Sequence, residues 1–297
     1  MAAKEATPHA VQQTLASHPS LLMRFRIYQI RALASFLNII GSRSAGCNLI
    51  VSLRSHRVTR VPLDICLGFR RTFPSFASAQ ISSSRYIQAG HEHPDEIRFH
   101  SSMSDIVRES DYPVLFHLAP LVSELNRVFD LGGNVGNLFY SYDRKLNLPP
   151  GLLWTVYDLP VKKPLGEKLA AERAETRVRF SDTVAAANGC DVFIASGSLH
   201  YFEEPLHQIL GGLKNPPKHV FVNRTPFSDG PDLITVQDNR SYLVPCKLHS
   251  RSALTSGMHA LGYDLQAEWP VHERRLPVPT YPDVCPRTYF GFYFRRK

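Results

Sequence analysis

The ten residues from Arg127 to Gly136, RVFDLGGNVG, constrain this chain more than any other stretch. An apolar run that ends in an acid and meets a glycine turn at once reads as a buried strand stopping at a backbone loop that a ligand approaches closely. Gly132, Gly133 and Gly136 remove the side chains that would hold a ligand off the backbone, and Asn134 accepts a positive φ more readily than most residues. From Asn137 the chain can open a helix whose first amides are free to donate to that ligand.

The surrounding pattern predicts an α/β fold. A helix is expected from Pro113 to Leu125, leading into the Val128 strand. Strand-like runs then alternate with helical ones: 152–157 with 162–175, 177–180 with 182–188, 191–195 with 205–213, and a further strand at 219–223. Such alternation implies parallel strands joined by helical crossovers, an open doubly wound sheet. After an irregular stretch from Pro226 to Ser250, a helix over 251–261 precedes strands at 263–269 and 287–294. No helix separates those two strands, only a loop carrying Pro277, Pro279, Pro282 and Pro286, so they should pair antiparallel at the sheet edge.

Charge divides the chain. The formal net charge is +8, but ten arginines against the single acid Asp64 lie between Ala6 and His91, about +9 in that segment alone. The remainder is therefore close to neutral, and a basic footprint of the kind nucleic acids attract belongs to the N-terminal region. Residues 1–104 read as a basic, partly helical extension with a loose start over 1–19, and residues 105–297 as the main domain. Within the extension, 21–40 fits an amphipathic helix that packs on the main domain or a second subunit, or that lies on an anionic membrane surface. A weak strand pattern appears over 48–53. The acid-poor start also fits an organellar transit segment, the lesser reading. Five scattered cysteines with no ligand spacing predict a reduced, cytoplasmic protein without structural zinc, and no apolar run reaches the roughly 20 residues of a membrane span.

The acids select the ligand. A dinucleotide loop is GxGxxG with an acid about 20 residues on; here Asn134 replaces the central glycine and Asp130 immediately precedes the turn. A carboxylate there repels a pyrophosphate and pairs with a cationic amino group. Asp158 ends the next strand, where its two oxygens can accept from both hydroxyls of a ribose. Ribose plus an amino-acid ammonium without phosphate describes S-adenosylmethionine.

Over residues 113–297 the sequence resembles the class I S-adenosylmethionine-dependent methyltransferases, whose Rossmann-like, mostly parallel seven-stranded sheet has an antiparallel last strand. The motifs DLGGNVG (130–136), SGSLHY (196–201), NRTP (223–226), TVQ (235–237) and YFGFY (289–293), with FPS at 73–75, are also similar to a bacterial methyltransferase family linked with surface-polysaccharide genes. Asp158-Leu159-Pro160 resembles the second-strand motif of small-molecule O-methyltransferases. The resemblance implies a cofactor pocket built from Asp130, Gly132, Gly133, Asn134, Gly136, Asp158 and Leu159. Phe180, Ser181 and Asp182 would lie at the adenine, and Ser196, Gly197 and Ser198 would pass beneath the methionine part.

His200 would face the methyl group and act as base on an acceptor hydroxyl, with Tyr201 and Glu203 orienting it. Arg224 could grip an anionic acceptor group by a bidentate contact, or else pair with Asp229 or Asp232. Gln237, Tyr242 and His249 fall in the irregular insertion, which reads as an acceptor lid. Tyr281 and the aromatics from Tyr289 to Phe294 read as core rather than as a stacking platform. The implied acceptor is a sugar or other small molecule. A methyltransferase-like scaffold without activity and an RNA methyltransferase using the N-terminal arginines are the alternatives, and a nicotinamide enzyme fits least.

Overall fold

The computed structural model describes residues 44–56, 72–84, 105–238, 243–274, 278 and 289–297, with individual helical positions from 28 to 40 and from 58 to 63. The expected loose start over 1–19, Tyr242, Tyr281 and nearly all of the proline-rich loop lie outside the described residues. In chain order the elements begin with helices α1 (Ser44–Ser55), α2 (Phe76–Ser84) and α3 (Asp111–Leu118), the last running on into a 3-10 turn over Ala119–Glu124. Next come β1 (Arg127–Leu131), α4 (Asn137–Leu146), β2 (Leu153–Tyr157), α5 (Lys162–Glu172), β3 (Val178–Ser181), β4 (Val192–Ser196), α6 (Leu206–Gly211) and β5 (His219–Thr225). The chain closes with β6 (Phe227–Ser228), β7 (Leu233–Asp238), β8 (Leu243–Ser250), α7 (Arg251–Ala260), β9 (Tyr263–Val271) and β10 (Tyr289–Arg296).

Seven strands form one sheet in the order β3-β2-β1-β4-β5-β10-β9. All run parallel except β10, which is inserted antiparallel to both β5 and β9. This is the mostly parallel, Rossmann-like methyltransferase fold that the sequence implied. Side chains alternate across the sheet with a period of two, and two cores result. Val128, Trp154, Val156, Ile194 and Phe221 pack with α3 and α4 on one face. Phe129, Leu131, Phe193, Val220 and Val222 pack with α6 and α7 on the other. Strand β5 is buried along its whole length, as its place between β4 and β10 requires.

Two expectations are corrected. Residues 226–250 are not irregular: β6, β8 and β7 form a separate three-stranded sheet, with β7 and β8 antiparallel. Their alternation was hidden by Pro226, Pro231 and Pro245, of which Pro245 sits within β8 opposite Val236; β6 pairs only with His249 and Ser250 and does not reach it, so proline occupies a stretch of β8 laddered on one side. Residues 48–53 are helical within α1 rather than extended. The β-branched and polar residues there misled a local reading. The N-terminal region also reaches the small sheet: Phe73 bridges to Ile234 through an amide–carbonyl bond of 2.8 Å, and α2 packs on β7 and β8. On the predicted amphipathic helix, Tyr28, Leu33, Phe36 and Ile39 are helical and exposed. Among the described residues no helix is long and apolar enough to cross a membrane.

One glycine couples the last two strands of the chain. A Cβ on Gly291 of β10 would overlap the indole of Trp269 on β9, its direct cross-strand partner, and that indole is pinned by donating to Asn223 Oδ1 at 3.1 Å. Overpacking of this kind costs about 1–3 kcal/mol. Gly291→Ala should lower the urea-unfolding free energy by that amount, whereas Gly151→Ala, whose Cβ meets nothing within 4 Å, should leave it nearly unchanged.

Candidate functional site

The loop after β1 takes its shape from its glycines. Gly132, Asn134 and Gly136 have φ of 72°, 56° and 90°, a region that L side chains rarely enter apart from Asn and Asp. A Cβ on Gly132 would overlap Ser198, and one on Gly133 would overlap the Asp130 carboxylate. The loop is thus pressed against the end of β4 on one side and down onto Asp130 on the other. The Gly132 amide donates to Tyr157 O at 2.7 Å, fastening the turn to the end of β2, and Ser198 Oγ donates to Leu131 O.

Asp130 is fully buried on the α3–α4 face. Its Oδ2 accepts from Trp154 Nε1 at 3.2 Å, while Oδ1 has no partner among the described residues. Burial pushes its carboxyl up to about 7. The Trp154 bond opposes that rise, and the nearby charge of Asp158 adds to it. Asp158, at the mouth beyond β2, accepts from the Asn134 amide through Oδ2 and from the Leu159 amide through Oδ1, each at 2.7 Å. A carboxylate has about four acceptor positions, so both oxygens retain a lone pair for a ligand. Leu159 beside it presents an exposed apolar side chain.

The third strand departs from expectation. The Phe180 ring fills the notch that Gly166 leaves in α5, where a Cβ would overlap it. At least one side of the ring is therefore taken up by packing beneath that helix. Asp182 is 70% exposed and paired to Lys163 Nζ at 2.5 Å. The cap of the following 3-10 turn is Thr183, which accepts from the Ala185 amide at 3.2 Å, and Ser181 Oγ donates to Thr183 O.

At the end of β4, Gly197 has φ 76° and its amide donates to Asn223 O at 2.8 Å. Ser196 Oγ is buried with no hydrogen-bond partner among the described residues. His200, in a short 3-10 turn, is only 2% exposed. Its ring centroid lies 4.0 Å from that of Tyr201 and 5.8 Å from that of Tyr289, edge to face with the latter. Tyr201 OH donates to Gln237 Oε1 at 2.5 Å, and Gln237 Nε2 donates to Tyr289 OH at 3.1 Å. The two phenols flanking His200 are therefore linked through one side chain of the small sheet. His249 approaches Leu199 O through Nε2 at 3.3 Å, and burial, with Lys247 nearby, pushes its imidazole down to about 4, so it is neutral at physiological pH. Glu203 accepts from Lys247 Nζ through its carbonyl at 2.8 Å. The insertion that contributes Gln237 and His249 thus packs directly behind His200.

Arg224 corrects a further expectation. It pairs with neither Asp229 nor Asp232, which are held by Arg251 and Lys247. Its partner is Asp111, at 2.6 Å from Nη1, with Ser110 Oγ at 3.4 Å. Asp111 is buried in the first turn of α3 and also accepts from Tyr142 OH at 3.2 Å, the Asn223 amide side chain at 3.5 Å and the Arg108 amide at 2.9 Å. Ser110 in turn donates to Glu273 Oε1 at 2.6 Å. This network was missed from sequence. An acid at the start of a helix reads as a solvated complement to the helix dipole, and nothing local marks Asp111 as inward-facing.

Among the described residues no group of three or more His, Cys, Asp or Glu side chains is placed to hold a metal ion. No protein-family model and no curated protein matches the sequence. Solved structures with related architecture include the N-terminal domain of EvdMO1 with SAH bound, at 14% identity and TM-score 0.45 over 64% of this chain and 83% of that one. An O-methyltransferase family protein from Burkholderia thailandensis matches at 15% and 0.46 over 85% and 72%. The mitomycin 7-O-methyltransferase MmcR matches at 16% and 0.44 over 79% and 63%. The chain's own strand order defines its fold.

The buried acid has a measurable signature. With a carboxyl near 7 when folded and 3.8 as the ordinary value, the unfolded chain releases this proton first. Asp130 therefore leaves stability intact below about pH 4 and lowers it as pH rises towards 7. Asp130→Asn keeps an acceptor for Trp154 and cannot ionise. Its stability relative to wild type should climb across pH 4–7, by on the order of 4 kcal/mol at pH 8. Paired urea titrations would check this, and parallel pH profiles for the two proteins would contradict it.

Proposed function

We propose that the chain is an S-adenosylmethionine-dependent methyltransferase that acts on a hydroxyl of a sugar or other small molecule. One observation carries the reading. A loop of left-handed backbone with no room for side chains lies between two carboxylates, Asp130 beneath it and Asp158 bonded to its Asn134 amide. Such a pair repels a pyrophosphate and suits a ligand with an ammonium at one end and a ribose at the other. The unpartnered Oδ1 of Asp130 fits that ligand. Its negative potential acts through the thin glycine backbone, and a bound cation would draw the carboxyl towards its ionised form. Asp158 would hold the ribose hydroxyls with its remaining lone pairs, and Leu159 would lie under the adenine. Gly197 and Ser198 would line the amino-acid part.

When bound, S-adenosylmethionine supplies an electrophilic methyl group on sulfur. The protein's own contribution is alignment and the management of one proton. His200 would take the acceptor's hydroxyl proton on a ring nitrogen as the oxygen attacks. Tyr201 and Tyr289, joined through Gln237, would hold the imidazole plane. The burial of His200 favours one second reading, a domain that binds the cofactor without catalysis, because a base must meet its substrate.

Calorimetry with S-adenosylhomocysteine and turnover with labelled S-adenosylmethionine in fractionated extract test the proposal. Asp158→Asn should weaken S-adenosylhomocysteine binding about tenfold, the worth of one charge-assisted hydrogen bond or more. His200→Gln should leave binding within threefold and lower turnover by roughly 10²–10⁴. Failure of the wild type to bind S-adenosylhomocysteine would overturn the reading. Binding without turnover in any fraction would move it to the non-catalytic alternative.

A further inference from the structure

Arg224 is only partly satisfied. Its side chain is 8% exposed, and Nη1 is held by Asp111 and Ser110, yet Nε is buried with no partner among the described residues. That nitrogen borders the space beside Gly197, where a Cβ would stand 3.5 Å away. Leaving a guanidinium donor unmet away from water costs free energy unless a ligand meets it.

A second arginine stands nearby. Arg108 precedes α3 and is half-buried, and its guanidinium makes no hydrogen bond or ion pair with the described residues. Burial, then the charges of Arg224 and Arg274, hold its proton affinity down to about 10. Around it three guanidinium groups, of Arg108, Arg224 and Arg274, meet two carboxylates, of Asp111 and Glu273. Glu273 and Arg274 are exposed, so the charge that burial bears on is the half-buried Arg108 guanidinium, which stands beside the buried Arg224–Asp111 pair without an acid of its own. Asp130 and Asp158 lie across the loop and repel an anion from their own side, so a molecule bearing both signs would be oriented between the two groups.

We propose that Arg224, through Nε, and the Arg108 guanidinium form a seat for a carboxylate of a small molecule bound beside Gly197. The seat rests on the S-adenosylmethionine reading above. Within that reading two carboxylates could occupy it, the cofactor's own or one carried by the acceptor, and guanidinium geometry suits either.

The test compares wild type, Arg108→Gln and Arg108→Lys as full chains. S-Adenosylhomocysteine and its decarboxylated analogue are titrated by calorimetry, and heat denaturation is followed with increasing acetate. If the cofactor fills the seat, wild type binds the analogue at least tenfold more weakly. That gap then closes in Arg108→Gln and partly survives in Arg108→Lys. If the acceptor fills it, the two ligands bind alike, and millimolar acetate raises the melting temperature of wild type loaded with S-adenosylhomocysteine but not that of Arg108→Gln. A ligand gap unchanged by Arg108→Gln, together with no acetate effect, overturns the proposal while the cofactor reading stands. If wild type binds neither ligand, the cofactor reading fails instead, and acetate stabilisation of the bare protein that Arg108→Gln abolishes decides whether the seat exists.

Discussion

The Asp130 carboxylate and the backbone of Gly133 are packed so closely that a Cβ on the glycine could not be accommodated. That contact fixes the path of the loop, and much else follows from it. Gly132 must turn with positive φ to clear Ser198, Asn134 must present its amide to Asp158, and Gly136 must release the chain into α4. The acid needs an indole donor beneath it, which accounts for the otherwise surprising orientation of Trp154 in a core of apolar side chains. The loop is shaped by a buried carboxyl whose burial pushes it up to about 7, so its charge is poised to change near neutral pH.

A second constraint ties the helix before β1 to the end of β5. Asp111 collects donors from Arg224, Tyr142, Asn223 and the Arg108 amide. Removing one member of such a pair leaves the other buried and uncompensated, typically at a cost of about 3–5 kcal/mol. Arg224 itself has φ of 49°, an unfavourable conformation for a long side chain that the ion pair offsets. Two polar assemblies, one around Asp130 and one around Asp111, therefore meet at the carboxyl ends of β1, β4 and β5.

The sequence made the fold largely legible because parallel strands are buried on both faces and leave continuous apolar runs, while the helices between them carry their own periodicity. The glycine loop, the acid at 158 and the terminal strand pair were readable for the same reason, since each is a local pattern. Partnership was not readable. Arg224 was matched with Asp229 or Asp232 because its actual acid lies 113 residues earlier, and the packing of Phe180 was hidden because the notch at Gly166 belongs to another element. The small sheet escaped because prolines broke its alternation, although Gln237 and His249 within it were singled out. Local chemistry names candidates; only the fold says which of them are already spoken for.

The bridge between Phe73 and Ile234 reaches beyond its single hydrogen bond. It joins a segment from the basic N-terminal region to an insertion more than 150 residues later, and that insertion in turn holds the side chain linking the phenols around His200. Two stretches outside the strand-and-helix framework thus make up one module seated over the reactive end. Neither stretch contributes to the glycine loop after β1, so the module and that loop are separable parts of the fold. The same linkage makes the segment from Phe73 to Ser84 part of the small sheet's support, so cutting the chain after it would take away packing that β7 and β8 use.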